Sequence, residues 1–448
     1  MSVNPADGAV LGVLYGTDAM RAAVGERALL SRMLDVEAAL ARAEARLGIV
    51  PDAAAQAITA AARFEMLDLP ALAVSTRNTG YPVVGLVRQL SAAAGEDAGR
   101  WTHWGATTQD VVDSATVLMI RDALALIEPA LERLCGALLA RAQEHRGTVM
   151  AGRTHLQHAL PVTFGYKCAV WASPLLTMRE RLSQLKPRVL RVQFGGAVGT
   201  LASLGDRGTA VMAELARELD LNEPDLPWHV SHDGFAELVS WCGLLCGALS
   251  KFATDFMLLM QTEVAEVAEP HAPGRGGSST MPQKRNPIAC EYVLAQARGV
   301  HALVPQMLAA MAHDHERGTG PWQAEPLALP QALLLTHGAL DQALTVAEGM
   351  TVDAARMRRN LDSTGGLIVA EAVMMGLAPV LGRGAAHDAV HHACDVALEE
   401  GIPLAAALAR DSAVTDRLDA DAIARLTDPS NYLGSSSVFI DRVLRRRA

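Results

Sequence analysis

Phe235-Ala-Glu-Leu-Val-Ser-Trp-Cys-Gly-Leu-Leu-Cys-Gly-Ala-Leu-Ser-Lys-Phe-Ala-Thr-Asp-Phe-Met-Leu-Leu-Met-Gln-Thr-Glu-Val-Ala-Glu-Val267 runs without a proline or a cluster of glycines. Such a stretch reads as one very long helix, and about 30 helical residues span about 45 Å. Its apolar residues go most of the way round, so the rod must be buried on several sides. Working outward, Asp110–His145 reads as a second rod, with Pro129 as a kink or junction. Phe164–Leu185, ending before Pro187, and Glu291–Ala312 read the same way, and a further helix is expected after Gln323–Pro330 to about Gly349. Arg27–Gly48 is an amphipathic helix with Leu29, Leu30, Met33, Leu34, Val36, Ala39 and Leu40 on one side. Half of the residues are hydrophobic but only 4% are aromatic, a composition that favours helices over sheets. No segment alternates with period two. The expected fold is therefore all-α, with a central long-helix bundle shared between subunits and hence a homo-oligomer.

The bulk properties exclude several partners. A net charge of −10 argues against nucleic acid, and an anionic substrate then needs local positive charge rather than a global field. Leu244–Met260, the nearest approach to a membrane span, contains Lys251 and Asp255. Met1–Gly16 lacks the basic start of a secretory signal. Six cysteines without a CxxC pair read as reduced core residues of a cytoplasmic protein.

Three polar loops interrupt the rods. The longest is Ala272-Pro-Gly-Arg-Gly-Gly-Ser-Ser-Thr-Met-Pro-Gln-Lys-Arg-Asn-Pro287. A loop of this length in a compact chain is commonly functional. Its glycines admit a ligand close to the backbone, and Lys284 adds a fixed charge. It reads as a flap between two rigid helices. In His103-Trp-Gly-Ala-Thr-Thr-Gln-Asp110, Thr107 and Thr108 precede a helix start, where hydroxyls and free N–H groups suit a carboxylate. Gly152-Arg-Thr-His-Leu-Gln-His158 offers Arg153, His155, Gln157 and His158, with imidazoles able to exchange protons near neutral pH. Arg317 is a candidate partner for a substrate carboxylate.

Other patterns read as structure. Phe194–Gly199 superficially matches a dinucleotide loop, but no strand precedes it, so a turn or close helix approach is the better account. His387, His391 and Asp395 fall at i, i+4 and i+8 and fit a solvated helix face. His313-Asp-His-Glu-Arg317 lacks zinc-protease spacing.

Gly277-Ser-Ser-Thr-Met-Pro-Gln-Lys-Arg-Asn-Pro287 resembles the GSSxMPxKxNP loop of the fumarase/aspartase superfamily. Gly105–Ala115 and Gly152–Pro161 are similar to its other two characteristic regions, and the resemblance covers nearly the whole chain. Within the superfamily the chain most resembles the bacterial 3-carboxy-cis,cis-muconate cycloisomerases, through Leu190–Gly205, Leu226–His229, Leu259–Glu263, His315–Arg317, Val352–Leu361 and Asp428–Gly434. Adenylosuccinate lyases are the nearer of the other branches, but their His-Asp pair has no match around Arg77–Pro82. The resemblance implies a three-domain helical subunit, with boundaries at 1–105, 106–350 and 351–448. It also implies a homotetramer whose active sites are assembled from three subunits, a small di- or tricarboxylate substrate, and no metal or organic cofactor. It assigns Ser278 to proton transfer and His155 to general acid catalysis. Thr107, Thr108, Ser279, Lys284, Asn286 and Arg317 match substrate-binding positions.

Departures bear on the substrate. In the cycloisomerases a large apolar residue often stands in the place of His155, with the histidine at His158 retained; this chain has both. Trp322–Pro326 lacks a second tryptophan, and Ser231-His-Asp233 lacks an expected arginine. Two enzymatic readings follow: a cycloisomerase, and a β-eliminating lyase that releases fumarate from a substituted succinate. A non-catalytic scaffold would leave Ser278, Lys284 and Asn286 together unexplained.

Overall fold

The computed structural model describes residues 4–272, 274, 276–277 and 280–447. Five long helices dominate it: Thr108–Glu144, Phe164–Val189, Asp233–Met260, Ile288–Ala309 and Pro321–Gly349. The chain forms two compact units, one of Met1–Glu132, Thr177–Ser250 and Tyr292–Gln342, the other of Arg133–Leu176, Lys251–Glu291 and Ala343–Ala448. Each long helix contributes residues to both. The all-α expectation holds. Strands among the described residues are limited to the hairpin Val149–Thr154 (β1) and Gln157–Thr163 (β2) and the pair Val267–Ala268 and Thr351–Val352.

In the first unit the helix Glu26–Arg46 buries Leu30, Met33, Leu34 and Leu40 against Ile58, Leu86 and Leu90. That core is completed by residues far along the chain, among them Phe194, Val211 and Leu215. Each such side chain contributes about 1.5–3 kcal/mol of burial, so residues 1–105 do not close their core alone. In the second unit Trp171 meets Phe164 and Phe252 edge to face, and its indole N–H donates to Asp255 Oδ2 at 2.9 Å. The helices Ala370–Leu381 and Arg383–Glu400 pack Val373, Leu377 and Val390 against Leu404 and Leu408. Five of the six cysteines are buried and all are free thiols. Burial pushes Cys242 up to about 12 and also raises Cys168, Cys246 and Cys290, so these thiols are unreactive core residues.

Several expected boundaries move. The rod expected over Phe235–Val267 stops at Met260, because Ala265 turns at φ 51° and Val267–Ala268 pairs as a strand. Pro187 does not end its helix, which runs to Val189; a proline near the last turn removes only one N–H from the ladder. Pro326 and Pro330 likewise lie inside Pro321–Gly349. Residues 151–162, read as an irregular loop, form most of the hairpin: Val149↔Thr163 and Thr154↔Gln157 are in register, with an irregularity between Ala151 and Arg153.

Glu44 is unusual. It lies in the N-terminal core with both carboxylate oxygens buried and unpartnered. Burial, and then the nearby Glu37, push its carboxyl up to about 9. The folded state therefore keeps a proton that the unfolded chain gives up near pH 4.5. Stability is lost as pH rises from that value toward 9. Glu44→Gln should leave the urea midpoint almost unchanged near pH 4.5 and raise stability by about 3 kcal/mol at pH 7; equal effects at the two pH values would contradict this account.

Candidate active site

The hairpin presents two of the candidate imidazoles. Gly152 sits at the irregularity, where an added Cβ would lie 2.6 Å from the Leu160 carbonyl oxygen, so the bend needs glycine. Thr154↔Gln157 pairing leaves a two-residue tip, His155–Leu156, with φ of 51° and 64°. Left-handed backbone at both positions is the sign of a type I′ turn, normally built from Asn and Gly. For His and Leu it costs about 1–2 kcal/mol per residue. Both are exposed, Leu156 by 73%. Below the tip, Arg153 donates from both terminal nitrogens to the buried Glu266 at 3.0 and 2.7 Å, and Asn360 donates to the same carboxylate at 2.8 Å. The Arg153 fork thus holds the hairpin in place. His158 pairs across the hairpin with Arg153; burial first, then that guanidinium, lower its pKa, with Glu266 acting the other way. Gln157 is exposed beside the tip.

The flap is anchored at both ends by one side chain. Buried Glu269 accepts the N–H groups of Ala289 and Cys290 at 3.2 and 2.9 Å, in the first turn of Ile288–Ala309. A carboxylate there satisfies free helix donors and meets the positive end of the helix dipole. Between these anchors Gly277 bridges Arg285, and Asn286 N–H donates to Gly276 at 2.9 Å. Lys284 and Asn286 line an open cleft of about 760 Å³ with Met257, Gln261 and Asp353. Ser278 and Ser279 lie outside the described residues.

The third group surrounds Asp110 in the first unit. This buried carboxylate accepts N–H groups from Gly195 (2.8 Å), Gly196 (2.9 Å) and Thr107 (2.9 Å). It also accepts the Gln193 amide at 3.2 Å and pairs with His229 Nε2 at 2.7 Å. Gly195 is required, since a Cβ would sit 2.7 Å from Pro227 and 2.8 Å from His229. The Gly-rich stretch is therefore an anion nest around a protein carboxylate. Arg317 reaches the same place, donating to Gln109 Oε1 (3.2 Å), Thr107 Oγ1 (3.4 Å) and the Ala197 carbonyl (2.9 Å). Thr108 is the first residue of its helix.

Of the expected site residues, Thr107, Thr108 and Arg317 fall together in the first unit. Arg153, His155, Gln157, His158, Lys284 and Asn286 belong to the second. Sequence reasoning missed Asp110, Gln193 and His229 as organisers. Their signal was present in Leu190–Gly205 and Leu226–His229, which were matched as segments and given no role. The His387/His391 pair is exposed, with His391 Nδ1 3.1 Å from Asp395, as a solvated face requires.

Asp110→Asn turns one acceptor into a donor against fixed N–H groups and leaves His229 unpaired. It should cost about 3–5 kcal/mol in urea unfolding and speed hydrogen exchange at Gly195 and Gly196; unaltered exchange there would remove Asp110 from this organising role.

A family profile described as Lyase matches residues 14–301, and one described as Adenylosuccinate lyase C-terminus matches residues 366–443. The chain is 48% identical to 3-carboxy-cis,cis-muconate cycloisomerase of Pseudomonas aeruginosa, over 95% of this chain and 93% of that protein. The crystal structure of a fumarate lyase from Mesorhizobium sp. BNC1 is similar at 50% identity and a TM-score of 0.90, covering 96% of this chain and 98% of that one. That of the 3-carboxy-cis,cis-muconate lactonizing enzyme from Pseudomonas putida is similar at 44% identity and a TM-score of 0.94, covering 98% and 99%. With this likeness over nearly its whole length, the chain belongs to the fumarase/aspartase superfamily of lyases and cycloisomerases.

Proposed function

We propose that this protein is a cycloisomerase that converts 3-carboxy-cis,cis-muconate to a carboxymuconolactone. An internal carboxylate adds to a double bond, and Ser278 delivers or relays the proton to the carbon next to the remaining carboxylate. Charge grows on that carboxylate as an aci-carboxylate intermediate. Thr107, Thr108, Lys284, Asn286 and Arg317 supply donors that are fixed before the charge appears, which is where such stabilisation is largest. Serine gives up its proton reluctantly: shifting its equilibrium toward alkoxide by roughly six units takes about 8 kcal/mol. The flap N–H groups and Lys284 in a closed site are the source assigned to it, with closure itself provided by the anchored loop. Ser279 and Gln157 complete the polar lining.

The single observation that carries this reading is the manner in which the three loops are held. Each rests on a buried carboxylate, Asp110, Glu266 or Glu269; Asp110 takes the Thr107 backbone N–H, while the side chains of Thr107, Lys284 and Asn286 take no part in the anchoring. A homotetramer with shared active sites goes with it. The strained, exposed His155–Leu156 tip needs a surface to meet, and the rods expose Leu244, Leu308 and Leu327 by 53, 52 and 69%. Such apolar exposure on long helices suits packing against further copies. A cytoplasmic place in aromatic-acid catabolism completes the proposal.

A second reading is favoured by His155: a β-eliminating lyase that releases fumarate from a substituted succinate. The two separate in one assay series. Loss of the diene absorbance of 3-carboxymuconate is expected on mixing, with no fumarate from aspartate-like or nucleotide-linked succinates; the reverse pattern would establish the lyase. Ser278→Ala should lower kcat by about 10²–10⁴-fold with an unchanged melting temperature. Near-normal turnover in that variant would rule out Ser278 as the proton-transfer group. His155→Trp should keep diene turnover within about tenfold, whereas a general acid at this position would lose about 10²-fold or more.

A further inference from the structure

Beneath the Arg317 loop lies a buried cluster with no role in the reaction described above. His232 immediately precedes the helix Asp233–Met260, His313 lies in the segment before Arg317, and Glu325 is near the start of Pro321–Gly349. His232 Nδ1 is 2.7 Å from Glu325 Oε1, and His313 Nε2 is 3.9 Å from the same oxygen. One ligand atom from each of the three lies within 4.8 Å of the others. The rings of His232 and His313 are 4.7 Å apart and tilted by 34°. The His313 side chain is 0% exposed, yet neither of its nitrogens has a hydrogen-bond partner. Behind them, His232 Nε2 is 3.4 Å from Asp113 Oδ2, and Asp113 Oδ1 accepts the Trp322 indole N–H at 2.9 Å.

Two buried carboxylates, Asp113 and Glu325, flank the His232 ring, and the unpartnered nitrogens of His313 lie beside them. A divalent cation held by His232, His313 and Glu325 would meet both carboxylates and give His313 a partner.

We propose that His232 Nδ1, His313 Nε2 and Glu325 bind one divalent transition-metal ion of the zinc class. Two imidazoles and a carboxylate are a donor set for zinc, with a fourth position left to water. Asp113 is the outer carboxylate that fixes the His232 ring through its other nitrogen, the arrangement usual around metal-bound histidine. His313 shares a loop with Arg317, and Gln109 connects Arg317 to His232 through contacts of 3.2 and 3.4 Å. A bound ion would therefore fix the loop that carries Arg317.

The test uses the full-length protein, stripped with a chelator and titrated with Co²⁺ and then Zn²⁺. One Co²⁺ per chain is expected, with the intense visible bands of a four- or five-coordinate ion, displaced by Zn²⁺. His313→Gln and His232→Arg should each weaken Co²⁺ binding by at least about tenfold. His232→Arg retains a cation between the carboxylates and so controls for folding. The double substitution His387→Ala and His391→Ala, on the exposed helix, should change nothing. Absence of the bands, bands that survive His313→Gln, or bands lost with the exposed pair would each overturn the proposal. Slower hydrogen exchange in residues 310–320 on adding Zn²⁺ is the expected sign of loop fixation, and unchanged exchange would remove that part of it.

Discussion

The hydrogen-bonded shell of Asp110 is the constraint on which the first unit's polar site depends. A carboxylate with almost no solvent exposure is tolerated only when its charge is met on all sides. Here that requirement recruits the Thr107 turn, the Gly195–Gly196 backbone, Gln193 and His229, which come from three stretches of chain. Packing alone would not hold such polar segments in register, because they have few apolar side chains to bury. The ionic shell holds them, and it places the Thr107 hydroxyl within reach of Arg317 as a consequence.

Glu266 and Glu269 serve the second unit in the same way. Glu266 is fully buried and satisfied by Arg153 and Asn360. The hairpin base is therefore rigid enough to carry a tip in an unfavourable backbone conformation. Glu269 ties the two ends of the flap at a helix N-terminus, so the loop between them is closed without a core of its own. Rigid anchors under exposed polar tips are the arrangement expected where a loop must be placed accurately yet kept accessible.

The long rods were legible in the sequence because their signal is strong: uninterrupted apolar stretches with few prolines and high helix propensity. Their ends were less so. Pro187, Pro326 and Pro330 read as stops, yet lie inside helices whose tertiary packing outweighs a single lost hydrogen bond. The hairpin was missed because residues 149–163 show no alternation of apolar and polar side chains; backbone pairing and the Arg153–Glu266 pair define it. The candidate site was legible through the three loops, whose Thr, His, Lys and Asn residues stand where a solvent loop would carry other charges. Asp110 and His229 were not, since a buried ion pair contributed by residues 119 positions apart leaves no local pattern.

The two polar clusters of the first unit differ in how their buried groups are satisfied. Around Asp110, every carboxylate oxygen is matched by donors of good geometry. Around His232 the match fails: Asp113 Oδ2 has an ion pair at 3.4 Å without a well-directed hydrogen bond, and His313 has no partner for either nitrogen. Both clusters are equally shielded from water, so exposure does not explain the difference. Buried polar groups are satisfied in the large majority of cases; His313 leaves both ring nitrogens without a partner, next to His232 and Glu325, with which it could share a cation. A protein carboxylate with its own donors is a finished structural element; two converging imidazoles and a carboxylate, with one imidazole unpartnered, are a donor set for a cation.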